Sequence, residues 1–119
     1  MCIRDRPLTD AREFVREAAL LVNTTPLGMK PDDPLPVPQD ALTPGLLLYD
    51  LVYTRSGPTP LQAAALKAGA LVCDGLTHVY EQAIPSFRLF TGQQPPAGVL
   101  RRALVDALGG RGPLDWGSD

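Results

Sequence analysis

The sequence predicts an α/β fold: part of a doubly wound parallel sheet of about three strands, with flanking helices and two C-terminal helices. Three short apolar runs, at 20–24, 46–53 and 70–73, read as strands. Stretches with helical spacing lie before, between and after them. The run Leu46-Leu47-Leu48-Tyr49-Asp50-Leu51-Val52-Tyr53 is continuous rather than alternating, the pattern of a strand covered on both faces. Strands alternating with helices imply parallel βαβ units with right-handed crossovers.

Residues 9–19 read as the first helix. Thr9 or Asp10 can cap it, and Phe14, Val15 and Ala18 share one face. After the first strand comes Lys30-Pro31-Asp32-Asp33-Pro34-Leu35-Pro36-Val37-Pro38, which cannot be helix, since each Pro biases its predecessor toward extended geometry. One helical turn fits 39–42, before Pro44-Gly45 and the second strand. Thr59 caps the next helix with Pro60 at its first position, where the missing N–H does no harm. Gly69 is its C-terminal stop. After the third strand, Asp74-Gly75 turns into a long helix with a buried stripe of Leu76, Val79, Tyr80, Ala83, Phe87 and Phe90. Pro85 inside it should kink the axis at a cost of about 3 kcal/mol. Gly92 ends this helix, Pro95-Pro96 leads into the last one over 97–108, and 109–119 reads as a flexible tail. Three strands are half of a doubly wound sheet and leave one edge open.

Composition narrows the function classes. The 119 residues, 45% apolar, can support a modest core. Eleven basic and 13 acidic residues nearly balance, and no basic patch points to nucleic acid. No apolar run approaches the roughly 20 residues of a membrane-spanning helix, and no secretory signal is visible. Cys2 and Cys73 make no disulfide framework, and His78 is the only histidine, so no metal-ligand cluster is expected. A reducing, cytoplasmic setting is the default. Met1-Cys2-Ile3-Arg4-Asp5-Arg6 lacks periodicity and resembles translated sequencing adapter, so residues 1–6 are expected to be non-native and no part of the fold.

The chemistry-bearing residues gather at strand ends, where ligands bind in open α/β sheets. Asn23, Thr24 and Thr25 follow the first strand and suit the amide, ribose or phosphate of a dinucleotide. On the residues alone, plain turn chemistry is the simpler account. Asp50 lies in an apolar run, where a carboxylate needs hydrogen bonds. It is either a structural acceptor for loop N–H groups or a site residue, and the structural role is favoured. Tyr53 is a half-buried cap or a hydroxyl for a polyol substrate. Gly75 opens a helix where a ligand can approach backbone N–H groups, although no G-x-G-x-x-G motif is present. Gln82, near the apolar stripe, needs partners from protein or ligand. His78 has no carboxylate in register, and no nucleophile–base pair stands out, so no catalytic residue is assigned.

Four blocks, in this order and spacing, resemble the shikimate dehydrogenase family across residues 18–108. They are Leu20 to Met29, which contains Asn23-Thr24-Thr25-Pro26-Leu27-Gly28-Met29; Tyr49-Asp50-Leu51-Val52-Tyr53 with Thr59-Pro60-Leu61; Asp74-Gly75-Leu76; and Gln82 with Phe87-Arg88-Leu89-Phe90-Thr91-Gly92. The resemblance implies a Rossmann-type domain and an oxidoreductase using NADPH to reduce 3-dehydroshikimate to shikimate in aromatic amino acid biosynthesis, with NAD not excluded. It implies that Asn23, Thr24 and Thr25 face the cofactor, that Leu51 lies near the nicotinamide, and that the Gly75 backbone meets its amide. Tyr53 and Gln82 are implied to hydrogen-bond the substrate's hydroxyls.

The departures are specific. Asp-Gly-Leu usually continues Gly-Met in the family, but Thr77 and His78 stand here, which places His78 beside the nicotinamide. The family's catalytic Lys and Asp, its glycine-rich loop and its 2′-phosphate-reading basic residues have no counterpart in this chain. The chain therefore reads as a C-terminal fragment, inactive alone, whose partner is the N-terminal domain of the same protein. A quinate-type enzyme, one acting on an aminated analogue, and a non-catalytic binding module derived from the family are the alternatives.

Overall fold

The computed structural model describes residues 5–113; Cys2 and most of the adapter-like start lie outside it, as does the end of the expected tail. Its elements are α1 (Ala11–Glu17), β1 (Leu20–Asn23), β2 (Leu47–Asp50), α2 (Pro60–Lys67), β3 (Leu71–Asp74), α3 (Gly75–Thr91) and α4 (Val99–Ala107), with 3-10 turns at Leu8–Asp10 and Gln39–Ala41. The strands form one parallel sheet in the order β1-β2-β3. This is the expected half of a doubly wound sheet. Because β2 is central, β1 and β3 are both outer strands, where one open edge was expected.

Register aligns the sheet in rows. Leu20, Leu47 and Leu71 pair across it, as do Leu21, Leu48 and Val72, then Val22, Tyr49 and Cys73, then Asn23, Asp50 and Asp74. Alternation sends the second and fourth rows to one face. That face carries the core: Leu48 and Val72 pack with Val15 of α1, Val37, Ala41 and Leu42 of the crossover, and Leu61 and Ala65 of α2. The other face exposes Leu20, Val22 and Leu71. The expectation of a sheet covered on both faces is therefore corrected. Every helix between the strands packs on one side, so a continuous apolar run reports two apolar faces without reporting two covered ones.

Local signals explain most boundaries. Thr59 and Gln62 form a reciprocal capping box at the start of α2: the Thr59 hydroxyl accepts from the Gln62 N–H at 3.2 Å, and Gln62 Oε1 accepts from the Thr59 N–H at 2.9 Å. Gly69 and Gly92 stop their helices in left-handed conformations, φ +81° and +68°.

Other expectations need correction. Neither Thr9 nor Asp10 caps α1 by its side chain, because a 3-10 turn occupies the helix start. β2 ends at Asp50 rather than Tyr53, since its neighbours end in the same row. In the α3 stripe only Leu76 is buried, and Phe90 is 88% exposed, because this helix runs beyond the sheet and packs chiefly on α4. Pro85 is carried without a break in α3. It lies at an exposed position of the helix. α4 begins at Val99, after a turn capped by Gly98 at φ +73°.

Candidate functional site

The row Asn23, Asp50 and Asp74 sits at the carboxyl ends of the three strands, and all three side chains are buried. Asp50 is fully enclosed. Its Oδ1 accepts from Asn23 Nδ2 at 2.8 Å and from the Val52 N–H at 3.1 Å. Its Oδ2 accepts from the Thr59 hydroxyl at 2.9 Å and from Gln62 Nε2 at 3.0 Å. Four donors replace the water a carboxylate loses on burial, which is the condition for keeping it there. Asp50 thus takes the structural role, with acceptor duties on both sides of the strand ends.

The network reaches outward from this hub. Asn23 Oδ1 accepts from both the Thr25 N–H at 3.1 Å and the Thr25 hydroxyl at 2.7 Å, closing the turn after β1. The Thr25 hydroxyl accepts in turn from the Leu27 N–H at 3.3 Å. Gln62 Nε2 also donates to the Val52 carbonyl at 2.8 Å. One buried carboxylate therefore holds the loop after β1 and the segment after β2 in register with each other.

Between those two segments lies an open cleft of ≈ 440 Å³. Thr24, Thr25, Pro26 and Met29 form one wall, and Leu51, Val52 and Tyr53 the other. Gly75 closes in beneath the second wall: a Cβ there would stand 2.0 Å from the Leu51 carbonyl oxygen and 3.1 Å from the Tyr53 ring. Only glycine permits that approach. The Gly75 N–H points to the Val52 carbonyl at 3.5 Å.

The loop that carries Met29 has its own organiser. Asp33 Oδ2 accepts from the Gly28 and Lys30 N–H groups, each at 3.0 Å. Those backbone donors, Lys30 first, hold the Asp33 carboxyl below its usual value of 3.8. Gly28 itself needs its left-handed φ of +106°, pressed against Thr59.

The fold matches solved enzymes. No family model matches the chain. Residues of the chain are 39% identical over 102 positions to the NADP(+) shikimate dehydrogenase of Pelodictyon phaeoclathratiforme. The chain is related to the shikimate dehydrogenases. The match covers 84% of this chain and 36% of that relative, so the chain spans about a third of the length of the curated shikimate dehydrogenases it matches. The Thermus thermophilus shikimate dehydrogenase, solved with NADP(H) and shikimate, superposes with a TM-score of 0.73 at 34% identity, covering 88% of this chain and 38% of that one. Quinate dehydrogenase from Corynebacterium glutamicum, solved with NAD, superposes with a TM-score of 0.74 at 29% identity, covering 83% and 35%.

Set against the residues that the shikimate dehydrogenase resemblance singles out, the cleft gathers Thr24, Thr25, Leu51 and Tyr53, with Gly75 beneath. It leaves out three. Asn23 is buried behind Thr25, with its side chain engaged by Asp50, Thr25 and the Leu27 carbonyl. His78 and Gln82 are exposed on α3, away from the cleft lining. Sequence reasoning missed Met29 as a wall, Asp33 as loop organiser and Gln62 as a buried hub partner. The spacing Thr59-x-x-Gln62 is a capping-box signal and could have revealed Gln62. Asp33 sits in a Pro-rich run with no comparable pattern.

Proposed function

We propose that this chain is part of a shikimate dehydrogenase, an NADP-dependent oxidoreductase reducing 3-dehydroshikimate to shikimate, and that residues 7–108 supply half of its nucleotide-binding domain with the C-terminal helices. The observation that carries this reading is the cleft at the ends of β1 and β2. Its ≈ 440 Å³ falls in the range of small-ligand sites, roughly 300–1,000 Å³, which suits one end of a dinucleotide. Leu51, Val52 and Met29 offer apolar contact to a nicotinamide ring. The Thr24 hydroxyl suits its amide or ribose, and the Thr25 hydroxyl, whose proton goes to Asn23, keeps one lone pair to accept from the amide. Asn23 acts from behind, by fixing Thr25.

NADPH, when bound, supplies a hydride. The chain's own residues bind and orient the ring and keep water from its apolar side. Tyr53, 43% exposed on the cleft wall, offers its hydroxyl to a substrate hydroxyl. Gln82 and His78 are the family-implied contacts on α3, for substrate and cofactor respectively. The proton-transfer Lys and Asp of the family have no counterpart here, so the chain alone does not oxidise shikimate.

Titrating the chain with NADP⁺ while recording backbone amide resonances tests this. Shifts concentrated at Thr24, Thr25, Leu51, Tyr53 and Gly75 are expected. Shifts elsewhere, or none at saturating ligand, overturn the cleft as the nicotinamide site. The likeness to an NAD-bound quinate dehydrogenase favours a second reading. Shifts at lower NAD⁺ than NADP⁺ concentration would support it.

A further inference from the structure

The cleft wall made by Leu51, Val52 and Tyr53 leaves the sheet after Asp50; the Leu51 N–H still donates to the Asn23 carbonyl at 3.0 Å, and Tyr53 and Thr54 lie beyond that last ladder bond. Its further anchors are side chains. Val52 is held by Asp50 and Gln62. At the far end, the Thr54 carbonyl accepts from Arg111 Nη1 at 2.7 Å. The same guanidinium donates from Nη2 to Asp74 Oδ2 at 2.8 Å. Arg111 is 57 residues from Thr54 and 37 from Asp74, past the end of α4 and in the stretch that reads as tail. Its side chain is 17% exposed, Asp74 is fully buried, and Pro113 beyond it is buried. Within the stretch that reads as tail, Arg111 and Pro113 are thus packed, while Gly109 and Gly110 are exposed.

We propose that Arg111 is a positioning residue for the cleft: it clamps the wall carrying Tyr53 to the start of α3. Three features converge. A planar guanidinium presents two donors at a fixed angle, so it joins acceptors on two elements, where an ammonium offers a point charge. Asp74 is itself tied to the α3 N-terminus, its Oδ1 accepting from the Leu76 N–H at 3.1 Å. The adjacent Gly75 lies against Leu51 and Tyr53. The clamp therefore fixes the wall relative to the surface it rests on, and the segment after α4 belongs to the site. The role in ligand binding rests on the cleft reading above; the mechanical role does not.

Backbone ¹⁵N relaxation of the full chain tests it. In the unaltered chain Tyr53, Thr54 and Arg55 should have order parameters near the rigid value, about 0.85, and in Arg111→Ala they should fall below about 0.6. Those of Asn23 and Thr25 should not move. Arg111→Lys, which retains charge beside Asp74, should keep Leu76 rigid but still loosen residues 53–55. Unchanged order at 53–55 in either variant, or an equal fall at Asn23 and Thr25, overturns the clamp. A low value at 53–55 in the unaltered chain does so as well. The NADP⁺ titration is read separately. If NADP⁺ shifts no cleft amide while the relaxation result holds, the cofactor reading fails and the clamp stands.

Discussion

Two neighbouring rows of the sheet are equally apolar in sequence and opposite in fate. Leu21, Leu48 and Val72 lie against α1, the crossover and α2, with Leu48 fully buried. One residue along each strand, Leu20, Leu47 and Leu71 turn to the other side, where Leu71 is 71% exposed. The buried face also carries the polar row that shapes the cleft, so stability and site architecture share one side of the sheet. Strand propensity and hydropathy make an element; they do not say which of its faces this chain can cover.

Substitutions can break that contrast. The largest effect is expected at the base of the cleft wall: Gly75→Ala puts a methyl group on the Leu51 backbone, and should destabilise by more than about 3 kcal/mol in urea unfolding, or prevent folding. Leu48→Ala on the buried face should cost about 2–5 kcal/mol. Leu71→Ala in the same sheet should stay within about 0.5 kcal/mol. Similar losses for the two leucines would mean that the exposed face is covered in solution. Asp50→Asn keeps the volume but turns an NH₂ toward donors on one side, so a loss of about 1–3 kcal/mol is expected. It should come with altered resonances on both cleft walls, and a change confined to one wall would break the hub.

The smallest effect is expected at Asp33. Its carboxyl is held below 3.8 by the Lys30 and Gly28 amides, so folding favours the ionised form. Its contribution is fully present above the unfolded value and is lost as pH falls through the lower folded value. The Gly28 and Lys30 amide resonances should therefore titrate together below pH 3.8, with the core amides unmoved. In Asp33→Asn that titration should vanish.

Much of the fold is legible locally. Thr59-Pro60 starts α2 and Gly69 ends it because cap and stop chemistry act within a few residues. Thr24, Thr25 and Tyr53 could be picked out because strand ends collect ligand groups whatever the detail of packing; Leu51 came only from the family resemblance. Phe90 could not be placed, since a helical stripe names a face and leaves open how far the sheet extends beneath it. Gln82 and His78 come from the resemblance alone; both are exposed on α3, and neither lines the cleft.

By itself, then, the sequence determined the order of strands and helices, the ends of α2 and α3, and the polar turn after β1. Each of these depends on interactions between near neighbours in the chain. Only the tertiary structure decided that Asp50 joins Asn23, Thr59 and Gln62, that one sheet face stays open, and that Arg111 closes on Thr54 and Asp74. Those outcomes depend on strand register and crossover side, which bring together groups 9 to 57 residues apart. No local pattern encodes such pairings, because their partners are chosen by packing.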